Sequence, residues 1–128
     1  MNAVTAREPL PKIVRFLRTH DSPGSSCPHC GATGRYIHTF LLETGKTAAA
    51  MSGCVKLFPV SRVAIEEARL KKKLEGYVKQ YGASAKLNRR DTEALDAIEA
   101  FYDGVRDERS VLAIVDGAKK ANAARYRR

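Results

Sequence analysis

The stretch CPHCGATG, residues 27–34, is the part of the sequence that decides the fold. It begins with Cys27 and Cys30, and two thiolates at this CxxC spacing bind one metal ion from a single tight turn. Gly31 follows the second cysteine, and because it has no side chain it allows backbone N–H groups to approach the sulfur atoms. Cys54 is the third and last cysteine of the chain. The three cysteines therefore predict a metal site that links this turn to a later part of the chain.

Disulfide and redox roles fit the cysteines less well. The number of cysteines is odd, so a closed disulfide framework leaves one thiol over. A redox CxxC pair of the thioredoxin type opens a helix, whereas Gly31 and Gly34 follow the pair here and disfavour one. Metal binding is the preferred interpretation, and unmetallated thiols in a small core are the remaining alternative.

The residues after this turn predict a β-hairpin. Residues 35–42, RYIHTFLL, are rich in strand-forming residues, and ETGK at 43–46 is typical of a turn with Gly45. Residues 47–58, TAAAMSGCVKLF, are then expected to return beside the first strand, although their alanines make this second strand weak. The hairpin thus brings Cys54 back toward the CxxC turn.

The pattern CPHCG resembles the CPxCG knuckle of zinc-ribbon proteins, and the resemblance covers about residues 27–58, a quarter of the chain. In that family a second CxxC pair, on a second hairpin, completes a tetrahedral zinc site. Cys54 stands alone here, because Met51 and Leu57, at CxxC spacing on either side of it, carry no thiol. The resemblance therefore implies Zn²⁺ bound by all three cysteines and leaves the fourth ligand to be found.

Helices are predicted on both sides of the hairpin. Residues 11–20, PKIVRFLRTH, are expected to form a short amphipathic helix, followed by a loop at 21–26. After Pro59, apolar residues recur at helical spacing. The helices predicted there span residues 62–81, 92–103 and 107–126.

The fold class predicted from these elements is α+β, with a small zinc-stapled β-hairpin of the zinc-ribbon type packed against three to four helices. The chain is expected to consist of an N-terminal helix and loop at 1–26, a zinc-binding hairpin unit at 27–58 and a helical region at 59–128. A length of 128 residues suits one compact domain, so these segments are expected to pack together.

The fourth zinc ligand is chosen among three histidines. If the chain reverses at the turn, Arg35 faces Cys54, and His38 lies further along the strand, about 10 Å away at about 3.3 Å per residue and on the wrong face. His29 lies inside the knuckle, where its side chain is expected to point outward. His20 ends the predicted first helix, and the loop after it can fold the imidazole back to the cysteines. We therefore predict His20 as the fourth ligand, or His38 if the register of the hairpin is shifted.

The net charge of +9 is distributed in blocks. Basic residues concentrate at 59–90, acidic residues at 91–116 and basic residues again at 117–128, a pattern that favours a polyanion or an acidic protein surface as partner. One arc of the helix at 62–81, with the residues that follow it, is the predicted binding site for nucleic-acid phosphates. The residues of this basic arc are Arg62, Arg69, Lys72, Lys73, Lys79, Arg89 and Arg90. Two alternatives remain open: the arc is a solvated face, or it pairs with the acidic helix at 92–103 inside the fold.

The function predicted from these features is non-catalytic nucleic-acid binding, with DNA and RNA both open and Zn²⁺ as a structural cofactor. The alternative is a protein-binding inhibitor or modulator, because small chains of this type resemble phage or mobile-element accessory proteins that act on host machinery such as a defence nuclease. An enzyme is not expected, since the sequence contains no P-loop, GxSxG, HExxH or dinucleotide-binding pattern. No apolar run is long enough to span a bilayer and the N-terminus lacks an apolar signal core, which predicts a cytoplasmic protein.

Overall fold

The structure is a computed structural model that describes residues 10–125, and the chain divides into two compact units after Ser61. The sheet unit ends at Ser61, and the helical unit begins at Arg62. The outer ends of the predicted segments 1–26 and 59–128 lie outside the described residues. Within the described residues, no helix combines the length and the apolar character that crossing a membrane requires.

Over residues 10–61, the sheet unit is a three-stranded antiparallel sheet followed by one short helical turn. Its elements are β1 (Ile13–Ser26), β2 (Thr33–Leu42), β3 (Thr47–Met51) and α1 (Ser52–Val55). The strands lie in the order β1-β2-β3. The predicted hairpin is confirmed as the β2–β3 pair, and Gly45 occupies its turn with a φ of +88°, a backbone angle that favours glycine.

The helix predicted at residues 11–20 is wrong, because this segment belongs to strand β1. Irregularities interrupt the pairing of β1 with β2: each of the first two adds one residue to β1 that has no counterpart on β2, and the third, between Asp21 and Ser25, adds two. Ile13 and Phe16, three residues apart, consequently lie opposite Leu42 and Phe40, two residues apart. Three-residue spacing of buried side chains is typical of a helix, so the bulged strand imitates a helical pattern.

One face of the sheet carries the core of this unit. Phe40 is fully buried there and packs edge-on against Phe58, with ring centroids 5.1 Å apart. The chain after α1 returns to β1, where the Ile13 N–H donates to the Pro59 carbonyl at 2.8 Å and the Ser61 N–H donates to the Ile13 carbonyl at 2.9 Å. This return places the residues that follow β3 against the same core.

The described part of the helical unit, residues 62–125, contains three helices that share one core. They are α2 (Arg62–Tyr81), α3 (Arg89–Tyr102) and α4 (Glu108–Arg125). All three predicted helices are present, although α3 begins earlier than predicted. Its N-cap is Asn88, whose side chain accepts a hydrogen bond from the Asp91 backbone N–H at 2.9 Å. The α+β class is confirmed by the sheet and the helices together.

Candidate metal centre

Three cysteine sulfurs come together in the sheet unit. The Sγ atoms of Cys27, Cys30 and Cys54 all lie within 4.8 Å of one another. Zinc–sulfur bonds of about 2.3 Å in a tetrahedral site separate the sulfurs by about 3.8 Å, so a small inward movement of the side chains is enough to bind a metal. Among the described residues, no histidine, aspartate or glutamate joins this group. The cluster could therefore hold a metal ion through three thiolates.

The CxxC turn positions the first two cysteines between β1 and β2. The Cys27 N–H donates to the Ala32 carbonyl at 2.7 Å, and the Gly31 N–H donates to the Cys27 carbonyl at 2.8 Å. Gly31 has a φ of +81°, so the turn needs glycine for its backbone angle. Cys27 is buried, whereas Cys30 is exposed. The turn thus presents one thiol to the core and one to solvent.

Cys54 reaches the cluster from a helical turn, not from a strand. Strand β3 ends at Met51, and Cys54 lies buried in α1. The predicted pairing of Arg35 with Cys54 is wrong, and the hairpin register differs from the predicted one by a single residue, with His38 opposite Ala50. Because a helix rises about 1.5 Å per residue and a strand about 3.3 Å, α1 keeps the chain close to the CxxC turn.

The pKa values of the two buried thiols, Cys27 and Cys54, move in opposite directions. The Met51 N–H donates to Cys27 Sγ at 3.3 Å and is the main reason that the pKa of Cys27 falls to about 6, against the effect of burial. The pKa of Cys54 rises to about 12, first because of its hydrogen bond with Cys30 and second because of burial. Without a metal, Cys27 carries a thiolate at neutral pH, whereas metal binding must displace the proton of Cys54.

The predicted histidine ligands lie away from the cluster. His20 is exposed on β1, opposite Ile37. His38 is engaged at both ring nitrogens, Nδ1 with Thr19 Oγ1 and Nε2 with Ser52 Oγ, each at 2.9 Å. The structure thus brings together the three predicted cysteine ligands and neither of the two histidines. His20 was expected to fold back from the end of a helix, but as a strand residue it is held in the sheet.

An open cavity of about 320 Å³ borders all three cysteines. Its walls also include Gly34, Arg35, Tyr36 and Met51. Met51 packs so closely on Gly34 that a Cβ atom added there would lie 2.4 Å from the Met51 sulfur. Arg35 lies 5.3 Å from the ring centroid of Tyr36 and forms a two-point ion pair with Asp21, with N···O distances of 2.7 and 2.9 Å. These contacts hold the residues of one cavity wall in place.

Four of the predicted nucleic-acid-binding residues form ion pairs inside the helical unit. These pairs are Arg62–Asp116, Arg69–Glu66, Lys73–Asp91 and Arg89–Glu93. Glu66 and Asp91 are buried, with 3% and 0% of their surfaces exposed. Burying a carboxylate is costly unless it is paired, so Arg69 and Lys73 stabilise the fold. The basic arc is thus partly engaged within the fold.

Asp91 is the centre of a polar network that joins the three helices. One carboxylate oxygen accepts from Lys73 Nζ of α2 at 2.5 Å, and the other accepts from Asn122 Nδ2 of α4 at 2.9 Å. Asn122 Oδ1 in turn accepts from Asn88 Nδ2 at 3.0 Å. Asp91 lies in the first turn of α3, whose cap is Asn88.

Glu66 is a second buried carboxylate. It accepts hydrogen bonds from Arg69 and from Lys119 of α4. Burial is the largest single influence on its pKa and raises it, but the two cations together outweigh burial, so the pKa of Glu66 lies below its ordinary value. The i, i+3 spacing of Glu66 and Arg69 is the sequence signal that could have identified this pair.

Three predicted residues of the basic arc remain accessible: Lys72, Lys79 and Arg90. All three are exposed, and none of them forms an ion pair with another residue in the range 10–125. Lys72 and Lys79 are about two helical turns apart and share one side of α2. Lys86, also exposed, lies between α2 and α3 and is a further cation that the prediction omitted.

In comparisons with known proteins, no family model, no curated protein and no solved structure matches the chain.

Proposed function

We propose that this protein binds nucleic acid without catalysis and that one Zn²⁺ ion stabilises its sheet unit. The observation that carries the binding function is that Lys72, Lys79 and Arg90 are exposed and have no acidic partner among the described residues. Arg89 adds to this set, because its side chain is 90% exposed and an exposed i, i+4 pair with Glu93 is weak enough to exchange for a phosphate.

The distribution of these cations supports a binding role over a purely structural one. Arg89 and Arg90 occupy the first turn of α3, where the helix dipole disfavours positive charge. Lys79 lies at the other end of the short connection, in the last turn of α2. Phosphates could approach these exposed cations, at the ends of two helices joined by a short connection, without breaking the buried ion pairs.

Zinc is the proposed metal because cysteine thiolates are among its preferred ligands. Cys27 lies in the turn between β1 and β2 and Cys54 lies in α1, so the metal would cross-link this turn to the segment that follows β3. We expect one zinc per chain by elemental analysis of protein purified under reducing, chelator-free conditions. We also expect Cys54→Ser to lose the metal and to lower the melting temperature. A metal-free preparation would end this part of the proposal.

The binding part is tested by fluorescence anisotropy with labelled DNA and RNA at several salt concentrations. Reversing two cations, Lys72→Glu with Lys79→Glu, should weaken binding equally for all sequences. It should also flatten the slope of log affinity against log salt by about 0.9 per lost phosphate contact on duplex DNA. The fold should be retained, because both side chains are exposed and make no ion pair with other described residues.

The matched control reverses two exposed lysines of the sheet unit, Lys46→Glu with Lys56→Glu, which gives the same net charge. If the site is on α2, this control retains most of the affinity of the wild type. Equal losses in the two double variants would show that net charge alone attracts the nucleic acid. No binding by the wild type at low salt would exclude the nucleic-acid function.

A second candidate, a protein-binding inhibitor or modulator, is favoured by one observation. Val78, 37% exposed, lines an open groove of about 550 Å³ together with Leu74, and Tyr81, 68% exposed, follows at the end of α2. Exposed apolar side chains with a charged rim suit the centre of a protein interface. This candidate predicts a partner whose affinity depends little on salt and falls when Tyr81→Ser is introduced.

A further inference from the structure

The cysteine cluster is enclosed on one side and open on the other. Cys27 and Cys54 are 3% and 8% exposed, so their thiolates approach a metal from the core. Cys30 is exposed, and the cavity of about 320 Å³ borders all three cysteines. A metal bound at the cluster would therefore have solvent-accessible space on the side of Cys30.

A tetrahedral zinc site needs a fourth donor, and the described residues place none at the cluster. Sites with three cysteines are completed by a fourth cysteine or by a histidine. His38 is bonded at both ring nitrogens, and His20 is not part of the cluster. Met51 borders the cavity, but its sulfur packs on Gly34. Three protein ligands with one free position is the arrangement that lets zinc bind an external ligand.

We propose that the metal centre is an open three-thiolate site that takes one sulfur or nitrogen donor of a small molecule, of the thiol or imidazole class, through this cavity. This inference rests on the metal part of the proposed function and is independent of nucleic-acid binding. The cavity has the volume of a small binding pocket, so the ligand is small. A thiol binds as the thiolate and releases its proton to solvent, while an imidazole binds through a neutral nitrogen; each displaces a water, and no electrons are transferred.

Position 51 offers a way to close the site from within the chain. The Met51 N–H donates to Cys27 Sγ at 3.3 Å, so the Met51 backbone already lies beside the cluster. Met51→Cys would create a second CxxC pair with Cys54 and supply a fourth thiolate. Leu57→Cys, at the same spacing on the other side of Cys54, is the matched control, because Leu57 is 61% exposed and does not border the cavity.

The experiment uses the full-length protein loaded with Co²⁺, whose visible absorption bands report the ligands and geometry of a zinc site. Wild type, Met51→Cys and Leu57→Cys are each prepared with a phosphine reductant, which carries no thiol. Each is titrated with 2-mercaptoethanol and, separately, with imidazole. We expect the wild-type and Leu57→Cys bands to shift, with 2-mercaptoethanol moving them toward the spectrum of Met51→Cys. The Met51→Cys bands should not respond.

Wild-type bands that respond to neither donor would overturn the inference, because the chain would then supply its own fourth ligand. Met51→Cys bands that respond as strongly as those of the wild type would overturn the proposed location of the open position. If Met51→Cys fails to bind metal, the wild-type titration still decides between an open and a closed site. Failure of the wild type to bind one Co²⁺ or Zn²⁺ would instead reject the metal part of the proposed function.

Discussion

Within the basic arc, Lys73 has a structural role, because it pairs with the buried Asp91. The substitution Lys73→Met tests this role. Its ammonium group donates to Asp91 at 2.5 Å, and Asp91 is fully buried. Methionine keeps most of the length and the apolar part of the side chain but removes the charge. The substitution therefore leaves the Asp91 carboxylate with Asn122 as its remaining side-chain donor among the described contacts.

The size of the effect follows from the burial of the two partners. Removing one partner of a buried ion pair costs about 3–5 kcal/mol. The Lys73 side chain is 30% exposed, so water screens part of the interaction and we expect about 2–3 kcal/mol. A loss of this size lowers the melting temperature of a small domain by about 10–20 °C. It is also a large part of the total stability of such a unit, about 0.05–0.15 kcal/mol per residue.

The assay is thermal unfolding followed by far-UV circular dichroism, because the long helices of residues 10–125 all belong to the helical unit. Lys72→Met is the matched control: Lys72 is the neighbouring residue, is exposed and forms no ion pair with other described residues. It should change stability by no more than about 0.5 kcal/mol. Equal melting temperatures for Lys73→Met and Lys72→Met would refute the structural role of Lys73.

A double-mutant cycle identifies the partner of Lys73. Asp91→Asn removes the buried charge but retains the shape of the side chain and an oxygen that can accept from Asn122. If the loss in Lys73→Met arises from the unpaired Asp91 carboxylate, the double variant should be more stable than the sum of the two single losses predicts. Strict additivity would mean that the two side chains do not interact in solution.

Three further outcomes follow from the structure. Folding lowers the pKa of Glu66, so the stability that Glu66 contributes is present above its unfolded-state pKa and is lost as the pH falls through the folded value. Glu66→Gln should therefore make the free energy of unfolding less dependent on acid pH, as measured by urea unfolding at a series of pH values. His20→Ala should retain the metal as well as the wild type does, which elemental analysis would check, and loss of the metal would place His20 at the site. Gly34→Ala should displace the Met51 side chain, whose sulfur would lie 2.4 Å from the new Cβ, and lower the melting temperature of the sheet unit relative to Gly53→Ala, where a Cβ meets no atom within 4 Å.

Elements that depend on local sequence were predicted well, and elements that depend on distant pairing were not. Helix α2 carries its signal in its own periodicity, so its predicted and observed bounds agree. Strand β1 is defined by its pairing with β2, and the bulges in that pairing produced apolar spacing that resembles a helix. The start of α3 was misplaced because Asn88 and Asp91 are both good capping residues and only the structure shows which one accepts the hydrogen bond.

The same distinction applies to the candidate site. The CxxC spacing is a property of one turn, and the hairpin that follows it brings Cys54 back toward that turn. The three-cysteine cluster could therefore be predicted from the sequence. The choice of His20 depended on the wrong secondary structure for its segment. The partners of Asp91 lie 18 and 31 residues away in the sequence, and no local pattern connects them.

Because of the internal ion pairs, fewer cations are available to bind phosphates than the net charge of +9 suggests. If all seven residues of the predicted basic arc contacted phosphates of duplex DNA, the salt slope would be about −6. Arg62, Arg69 and Lys73 are paired with acids of their own unit, and releasing Arg69 or Lys73 would leave a buried carboxylate without that cation. Among the residues of the predicted arc, Lys72, Lys79 and Arg90 are accessible and Arg89 lies in an exposed pair, so the arc itself contributes about −3 to −4 to the slope. Binding should therefore be weak at physiological salt unless a second contribution, such as a partner on the apolar residues of α2, adds to it. The salt slope therefore reports how many cations of the helical unit are free to contact phosphates.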